Sequence, residues 1–457
     1  MTRRYAHLLI LIPALSVAGC SDDSGVGGDA GQTQDVLVDP CAPPYTVSVP
    51  AIPPNIAAST QSTIRSFRSW HLIENDLTAG QSTLTFEVIA PSGAQCLDLW
   101  IGGQHVERRA ASPAQATLEL EIGGYGPGAY ELLLVASGEA HAFAQLTFYR
   151  THPYYVLVTN DWDDALQEPD FRTREEALHA NHPAMKMTHF VGPYTFTDPT
   201  LTQAEIDAST AWLLDMRDTY DDEIGLHVHP YCNFVETTSV TCRWTPSLAY
   251  QEDPEGYSVV LGAYTQAETE LLFEQAKSLF QANGLGTPTS FRAGGWAAEL
   301  HTLAALANTG FVADTSGCNW SRMEEWQGIP NASLYEWNEA HWSTIDEWSQ
   351  PYYPNEGDIL SGDPPHVPIL EIPDNGNLID YVTDAELIEM FEANWPGGAL
   401  LQPTTYVTGY HPTSFENYNG YLDDGLTHID GFLAEHGQGP VVYETITNMT
   451  LVWPLPE

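Results

Sequence analysis

The chain has 457 residues, with 15 Lys and Arg against 61 Asp and Glu, a formal net charge of −46 at neutral pH. That balance excludes electrostatic capture of nucleic acid, which needs clustered base to displace counterions from phosphate, and equally a polybasic patch resting on anionic lipid. Charged residues are only 17 % against 43 % hydrophobic, and 13 Trp, 22 Tyr and 15 Phe supply far more to bury than a disordered acidic chain carries, so the length suits two or three domains.

Residues 1–19 place Arg3 and Arg4 before an apolar run from Leu8 to Leu15 and then small residues. This is a secretory layout, and the run is too short to span a bilayer. Its end, Val17-Ala18-Gly19-Cys20, resembles the bacterial lipobox, which implies that Cys20 carries lipid and that membrane contact runs through acyl chains alone. By the same resemblance Ser21 implies a lipid-anchored protein of the outer membrane or cell surface, with the periplasmic side as the alternative. Residues 20–40, rich in Asp, Gly, Ser and Gln, form an acidic flexible tether and lack the alternation and closing Glu of an EF-hand loop.

From 41 to 150 short alternating segments such as Leu84–Ile89, Leu97–Ile101, Ala116–Ile122 and Ala129–Val135 are separated by Gly-rich and Pro-rich turns. This rhythm predicts an antiparallel β-sandwich of immunoglobulin-like type without catalytic residues. In an oxidising compartment Cys41 and Cys96 are placed to staple that domain, and Cys232 and Cys242 flank a short loop as a second bridge. Cys318 is left over as a structural buried thiol, since no His or basic residue neighbours it.

Residues 151–457 change rhythm. Tyr154–Thr159 is a continuous apolar strand of the kind buried on both faces, followed by a helix over 202–220, a strand Glu223–His227, a helix over 265–283 and a strand Thr289–Arg292. Alternating strand and helix predict an α/β barrel or a doubly wound sheet, whose strand ends carry the site. Those ends read Asn160-Asp161-Trp162-Asp163-Asp164, His227-Val228-His229-Pro230, Arg292-Ala293-Gly294-Gly295-Trp296 and Gly409-Tyr410-His411-Pro412. Carboxylate, imidazole and guanidinium converging at one rim describe a metal site with an open position and groups to move protons.

In this order the motifs resemble those of NodB-type polysaccharide deacetylases, carbohydrate esterase family four, over about residues 152–445. The resemblance implies a NodB-like (β/α) barrel, Asp161 as general base, Asp163 and His227 as metal ligands, Arg292 orienting the base, and His411 as the acid that protonates the leaving group. The family's second metal histidine, one helical turn on, is here Tyr231. The additional imidazole is His229, two residues along and on the same strand face, so the ligand set is Asp163, His227 and His229, with Asp164 competing with Asp163 by one residue of register. For the carboxylate that would back His411, Glu371, Asp374 and Asp380 all remain candidates. The other histidines, His189 included, are assigned to surface or structure.

The implied cofactor is a divalent metal, zinc first. The implied partner is a polysaccharide, acetylated peptidoglycan, chitin-like oligosaccharide, xylan or an exopolysaccharide, met by a monomer. Aromatic residues between the third and fifth motifs, among them Trp320, Trp326, Trp342 and Trp348, suit core or lid packing and, in part, platforms for sugar rings. A field this negative favours a neutral or cationic glycan. Two rival functions stand beside the deacetylase: a glycan-binding lipoprotein whose barrel has lost turnover, and a glycoside hydrolase using two carboxylates without metal.

Overall fold

The computed structural model describes residues 39–53, 56, 63–112, 114–166, 169–329 and 332–456. Cys20 and the acidic stretch as far as residue 38 lie outside the described residues. Alternation produces eight strands in the first part of the chain: β1 (Ile64–Arg65), β2 (Trp70–Leu72), β3 (Thr83–Val88), β4 (Cys96–Ile101), β5 (Gln104–Ala110), β6 (Ala116–Glu121), β7 (Gly128–Ala136) and β8 (Ala142–Thr151). They form two sheets, ordered β1-β3-β6 and β2-β8-β7-β4-β5. Leu84, Phe86 and Val88 of one sheet share an apolar cluster with Leu97, Leu99, Leu132, Leu134 and Phe148 of the other, which is what period-two burial provides.

Two details depart from the sequence expectation. Strand β5 carries no apolar alternation because it is an edge, held by antiparallel pairing with β4 and by Arg108, which donates to both oxygens of Asp98 at 2.7 and 2.8 Å. The pairing is also not wholly antiparallel, since β2 runs parallel to β8. Disulfides join Cys41 to Cys96 and Cys232 to Cys242, and Cys318 is free and buried.

The remaining eight strands are β9 (Tyr154–Asp161), β10 (Met187–Val191), β11 (Glu223–Val228), β12 (Ser290–Ala293), β13 (Ala313–Asp314), β14 (Leu370–Glu371), β15 (Thr404–Tyr410) and β16 (Val441–Tyr443). They make one parallel sheet in a mixed α/β arrangement, ordered β14-β13-β12-β11-β10-β9-β15, with β16 pairing the start of β9. Every residue of β9 is buried, as expected for a central parallel strand. Helices pack outside the sheet, including α1 (Pro169–Asn181), α2 (Gln203–Tyr220), α3 (Gln266–Ala282), α4 (Leu300–Asn308), α5 (Leu334–His341), α6 (Asp384–Asn394) and α7 (Pro412–Asp430). The Thr-x-x-Glu signature starts three of them: Thr202, Thr265 and Thr383 each close a reciprocal capping box with Glu205, Glu268 and Glu386. An N-cap of this kind stabilises a helix by about 1 kcal/mol.

Strands β14 and β15 do not pair directly. The segment after β14 crosses between them, where Gly376 N–H donates to Val407 O at 2.8 Å and Leu378 forms a parallel bridge with Gly409. Gly409 is required there, because a Cβ would stand 2.2 Å from the Thr159 carbonyl oxygen. The two-sheet part is fastened to this second part by side chains: Trp70 stacks on Tyr149 and meets Trp395 edge-on, Arg68 donates to the carbonyls of Ala434 and Glu435, and Asn75 donates to the Tyr155 hydroxyl at 2.8 Å. Among the described residues no helix is long and apolar enough to cross a membrane.

Candidate metal centre

Parallel register brings the polar strand ends level. Asp161 pairs with Phe190 across β9 and β10, Tyr410 pairs with Asn160 across β15 and β9, and His227 pairs with Arg292 across β11 and β12. Beyond Asp161 the chain turns at buried Trp162, whose carbonyl accepts the Tyr194 hydroxyl, and Asp163 N–H donates back to Asp161 O at 3.1 Å. His229 lies just past β11 against Gly294, where a Cβ would come within 2.5 Å of the imidazole Nδ1.

Asp163, His227 and His229 offer ligand atoms that all lie within 4.8 Å of one another. Both Nε2 atoms stand 3.1 Å from Asp163 Oδ1. The tautomers follow from the far side of each ring. His227 Nδ1–H donates to Arg292 O at 3.0 Å and His229 Nδ1–H to Tyr257 O at 2.7 Å, which leaves Nε2 of both rings as the atom facing the same carboxylate oxygen. Three lone-pair donors facing one another are mutually repulsive unless a proton or cation lies between them. Two imidazoles and a carboxylate, each ring oriented by a backbone carbonyl, could hold a divalent cation with a coordination position left open. Asp164 is not part of the cluster.

Asp161 is buried, and Arg292 Nη1 reaches its oxygens at 3.1 and 3.2 Å. His411 Nε2 stands 3.6 Å from Asp163 Oδ2, and its Nδ1 lies 2.9 Å from Asp380 Oδ2. Of the three carboxylates left open for backing His411, the geometry selects Asp380, because the Leu378–Gly409 bridge sets Asp380 and His411 side by side two residues further on. Glu371 is occupied elsewhere, accepting Gly317 N–H at 2.8 Å, and Asp374 lies beside Arg292.

Electrostatics follow this arrangement. Burial alone would raise the Asp163 carboxyl, but the neighbouring histidines, His411 first and then His229 and His227, hold it well below the usual range. Burial lowers His227 despite Asp163 beside it. For His411 burial works downward, but Asp163 and Asp380 outweigh it and push the imidazole up to about 10. Burial and neighbouring Asp163 raise Asp164.

Tyr257, absent from the sequence reading, donates its hydroxyl to Asp163 Oδ2 at 2.7 Å and stacks on His229. It sits in the irregular connection between β11 and α3, where no periodicity or spacing marks it. His189 does not reach the rim: it is buried and bonds Asp222, which also holds His179, each at 3.0 Å. Of the aromatic residues singled out, Trp342 is wholly buried, while Trp326, 37 % exposed, joins Trp296, Tyr250 and Tyr381 in the wall of the cleft over Asp163, His227 and His229.

No family model matches the sequence, and no curated protein matches it. Solved structures similar to the chain include a family 4 carbohydrate esterase from Streptomyces lividans in complex with acetate, 10 % identical with a TM-score of 0.33, covering 66 % of this chain and 96 % of that one. A family 4 acetyl xylan esterase from Clostridium thermocellum in complex with a cobalt ion is 11 % identical, TM-score 0.32, covering 66 % and 93 %. A 4-alpha-glucanotransferase from Thermococcus litoralis is 12 % identical, TM-score 0.38, covering 66 % and 40 %. The functional reading rests on the side chains of the site itself.

Proposed function

We propose that the protein is a metal-dependent deacetylase acting on an acetylated polysaccharide. One observation carries this reading: two backbone-oriented imidazoles and a carboxylate meet in one cluster, with the Arg292-held Asp161 and the Asp380-backed His411 on the same rim. Asp163, His227 and His229 would hold a divalent cation, zinc first for this donor set, which would supply Lewis acidity toward water and toward a carbonyl oxygen. Asp161, its oxygens aimed by Arg292, takes the proton of the attacking water. His411 returns a proton to the departing amine or alcohol, and Asp380 on Nδ1 keeps Nε2–H turned to the cleft. Tyr231, standing where the family's second histidine is expected, donates to the Asp163 carbonyl at 3.3 Å and leaves that ligand place to His229. Export and anchoring through lipid on Cys20, at the outer membrane or cell surface, belong to the same proposal and rest on the lipobox resemblance.

The test is metal analysis of the purified protein combined with acetate release from acetylated chito-oligosaccharides and acetylated xylan, before and after chelation. The expected result is acetate release that chelator abolishes and added metal restores. Absence of bound metal and of acetate from every acetylated glycan overturns the proposal, and chelator-insensitive release of reducing ends points to the glycoside hydrolase instead.

A further inference from the structure

A single segment supports both sides of the rim. Between β14 and β15, residues Asp374–Asp380 are fixed by Asn375, which accepts Val407 N–H at 2.9 Å and donates to Thr405 O at 3.1 Å, and by Asn377, which donates to Asn319 O at 3.0 Å. Asp380 ends the segment at His411, and Asp374 begins it at Arg292.

Arg292 is wholly buried, and each of its three nitrogens has an acceptor. Nη1 donates to Thr159 Oγ1 at 2.8 Å and to Asp161, Nε to Thr315 O at 3.1 Å, and Nη2 to Thr315 Oγ1 at 3.2 Å, while Nη2 also forms an ion pair with Asp374 Oδ2 at 3.4 Å. Asp374 Oδ2 also accepts the Trp296 indole N–H at 3.0 Å. The carboxylate is wholly buried, and the Asn377 backbone N–H lies close enough to help hold it charged. Burying a carboxylate is costly, which is a poor way to gain stability and a good way to fix geometry. Trp296 adds a second sign of imposed geometry. Its backbone lies at φ 55°, a left-handed conformation that a large side chain avoids, and its carbonyl accepts the Trp342 indole N–H at 2.9 Å, so this wall residue is held from both ends.

We propose that Asp374 is a positioning residue for the deacetylation proposed above, on which this inference rests. It fixes the far nitrogen of the Arg292 fork and the Trp296 indole to one oxygen, so the base-side carboxylate Asp161 and the cleft wall keep one separation. Asp374 touches neither substrate nor metal ligand, and it acts through Arg292.

The test uses the full chain with Asp374→Asn, Arg292→Lys and the double variant, each measured on the folded fraction for metal content, kcat and KM of acetate release. Asp374→Asn is expected to lower kcat by about ten- to a hundredfold, the range for partners one layer behind a reacting group, with KM within about twofold and metal content per folded chain unchanged. Because both residues belong to one fork, the double variant is expected to be no slower than Arg292→Lys alone. If Asp374→Asn does not fold, Asp374→Ser, which leaves room for a water beside Nη2, is judged by the same criteria. A kcat within twofold of wild type overturns the inference, as do losses that multiply independently in the double variant or a loss that tracks metal content. Wild-type chain releasing no acetate overturns the deacetylase proposal and this inference with it, whereas an active wild type with an equally active Asp374→Asn overturns this inference alone.

Discussion

Tyr257→Phe isolates one hydrogen bond of the candidate metal centre. The hydroxyl donates to Asp163 Oδ2 at 2.7 Å, the backbone carbonyl of the same residue takes His229 Nδ1–H, and the ring lies against His229 with centroids 4.1 Å apart at 13°. Phenylalanine keeps the carbonyl and the stacking face and removes only the O–H. A hydrogen bond to a charged acceptor contributes about 1.5–3 kcal/mol. At about 1.4 kcal/mol per factor of ten, its loss weakens cation binding by roughly ten- to a hundredfold, provided Asp163 is a ligand whose orientation matters. After the change Asp163 Oδ2 has only His411 Nε2 nearby, at 3.6 Å, too long to replace a hydrogen bond. Competition between the metal-free protein and a chromogenic chelator, titrated with zinc near neutral pH, reads the affinity directly. Affinity within twofold of wild type refutes the reasoning and moves the third ligand away from Asp163.

Asp380→Asn removes the carboxylate behind His411 Nδ1, and acetate-release kinetics should show kcat lower by at least about tenfold with little change in KM, within the ~10²–10⁴ that acid–base catalysis contributes. Burial pushes Glu175 up to about 8, against the opposing hydrogen bond from the Tyr410 hydroxyl. The protonated form is therefore favoured in the fold, so its contribution is complete below the ordinary carboxylate pKa and is lost as pH rises through about 8. Thermal unfolding of wild type should weaken over that window, and Glu175→Gln should flatten the curve; a variant with the wild-type pH slope contradicts the assignment. Burial also pushes the Cys318 thiol well up, so peptide mapping after treatment with a thiol reagent should find Cys318 unmodified in the native protein and modified in denaturant.

Legibility in the sequence divides along a physical line. Strands β9, β11 and β12 and the end of β15 are visible because runs such as Tyr154–Thr159 are buried on both faces and the polar residues ending them stand out, whereas the two- and three-residue strands β13, β14 and β16 are too short to show a pattern. Asp161, Asp163, His227, His229, Arg292 and His411 meet at one rim because parallel register aligns strand ends, a rule that needs no loop to be known. Asp380 could not be chosen over Glu371 and Asp374, since its place depends on the Leu378–Gly409 bridge, a long-range contact without local signature. Tyr257 was invisible for the same reason: it reaches Asp163 from an irregular connection and shares no period with it. Strand β5 was missed because an edge strand of mostly polar residues, none of them fully buried, has no apolar alternation to read.

The charge balance adds an argument of its own. In a chain with 15 Lys and Arg, a base taken out of water is conspicuous, and among the described residues the buried arginines are Arg150 and Arg292. Arg150 spends its donors on backbone carbonyls, Leu72 O at 3.0 Å and Gln81 O, where it joins strands. Arg292 faces the carboxylates Asp161 and Asp374 from the interior. An acidic surface satisfies its charges with water and counterions at small cost, whereas a buried guanidinium must be matched group by group. Scarcity of base therefore makes Arg292 the most informative single side chain of the second part. Its position, between the strand end bearing Asp161 and the segment bearing Asp374 and Asp380, links the two halves of the rim on which the proposed chemistry depends.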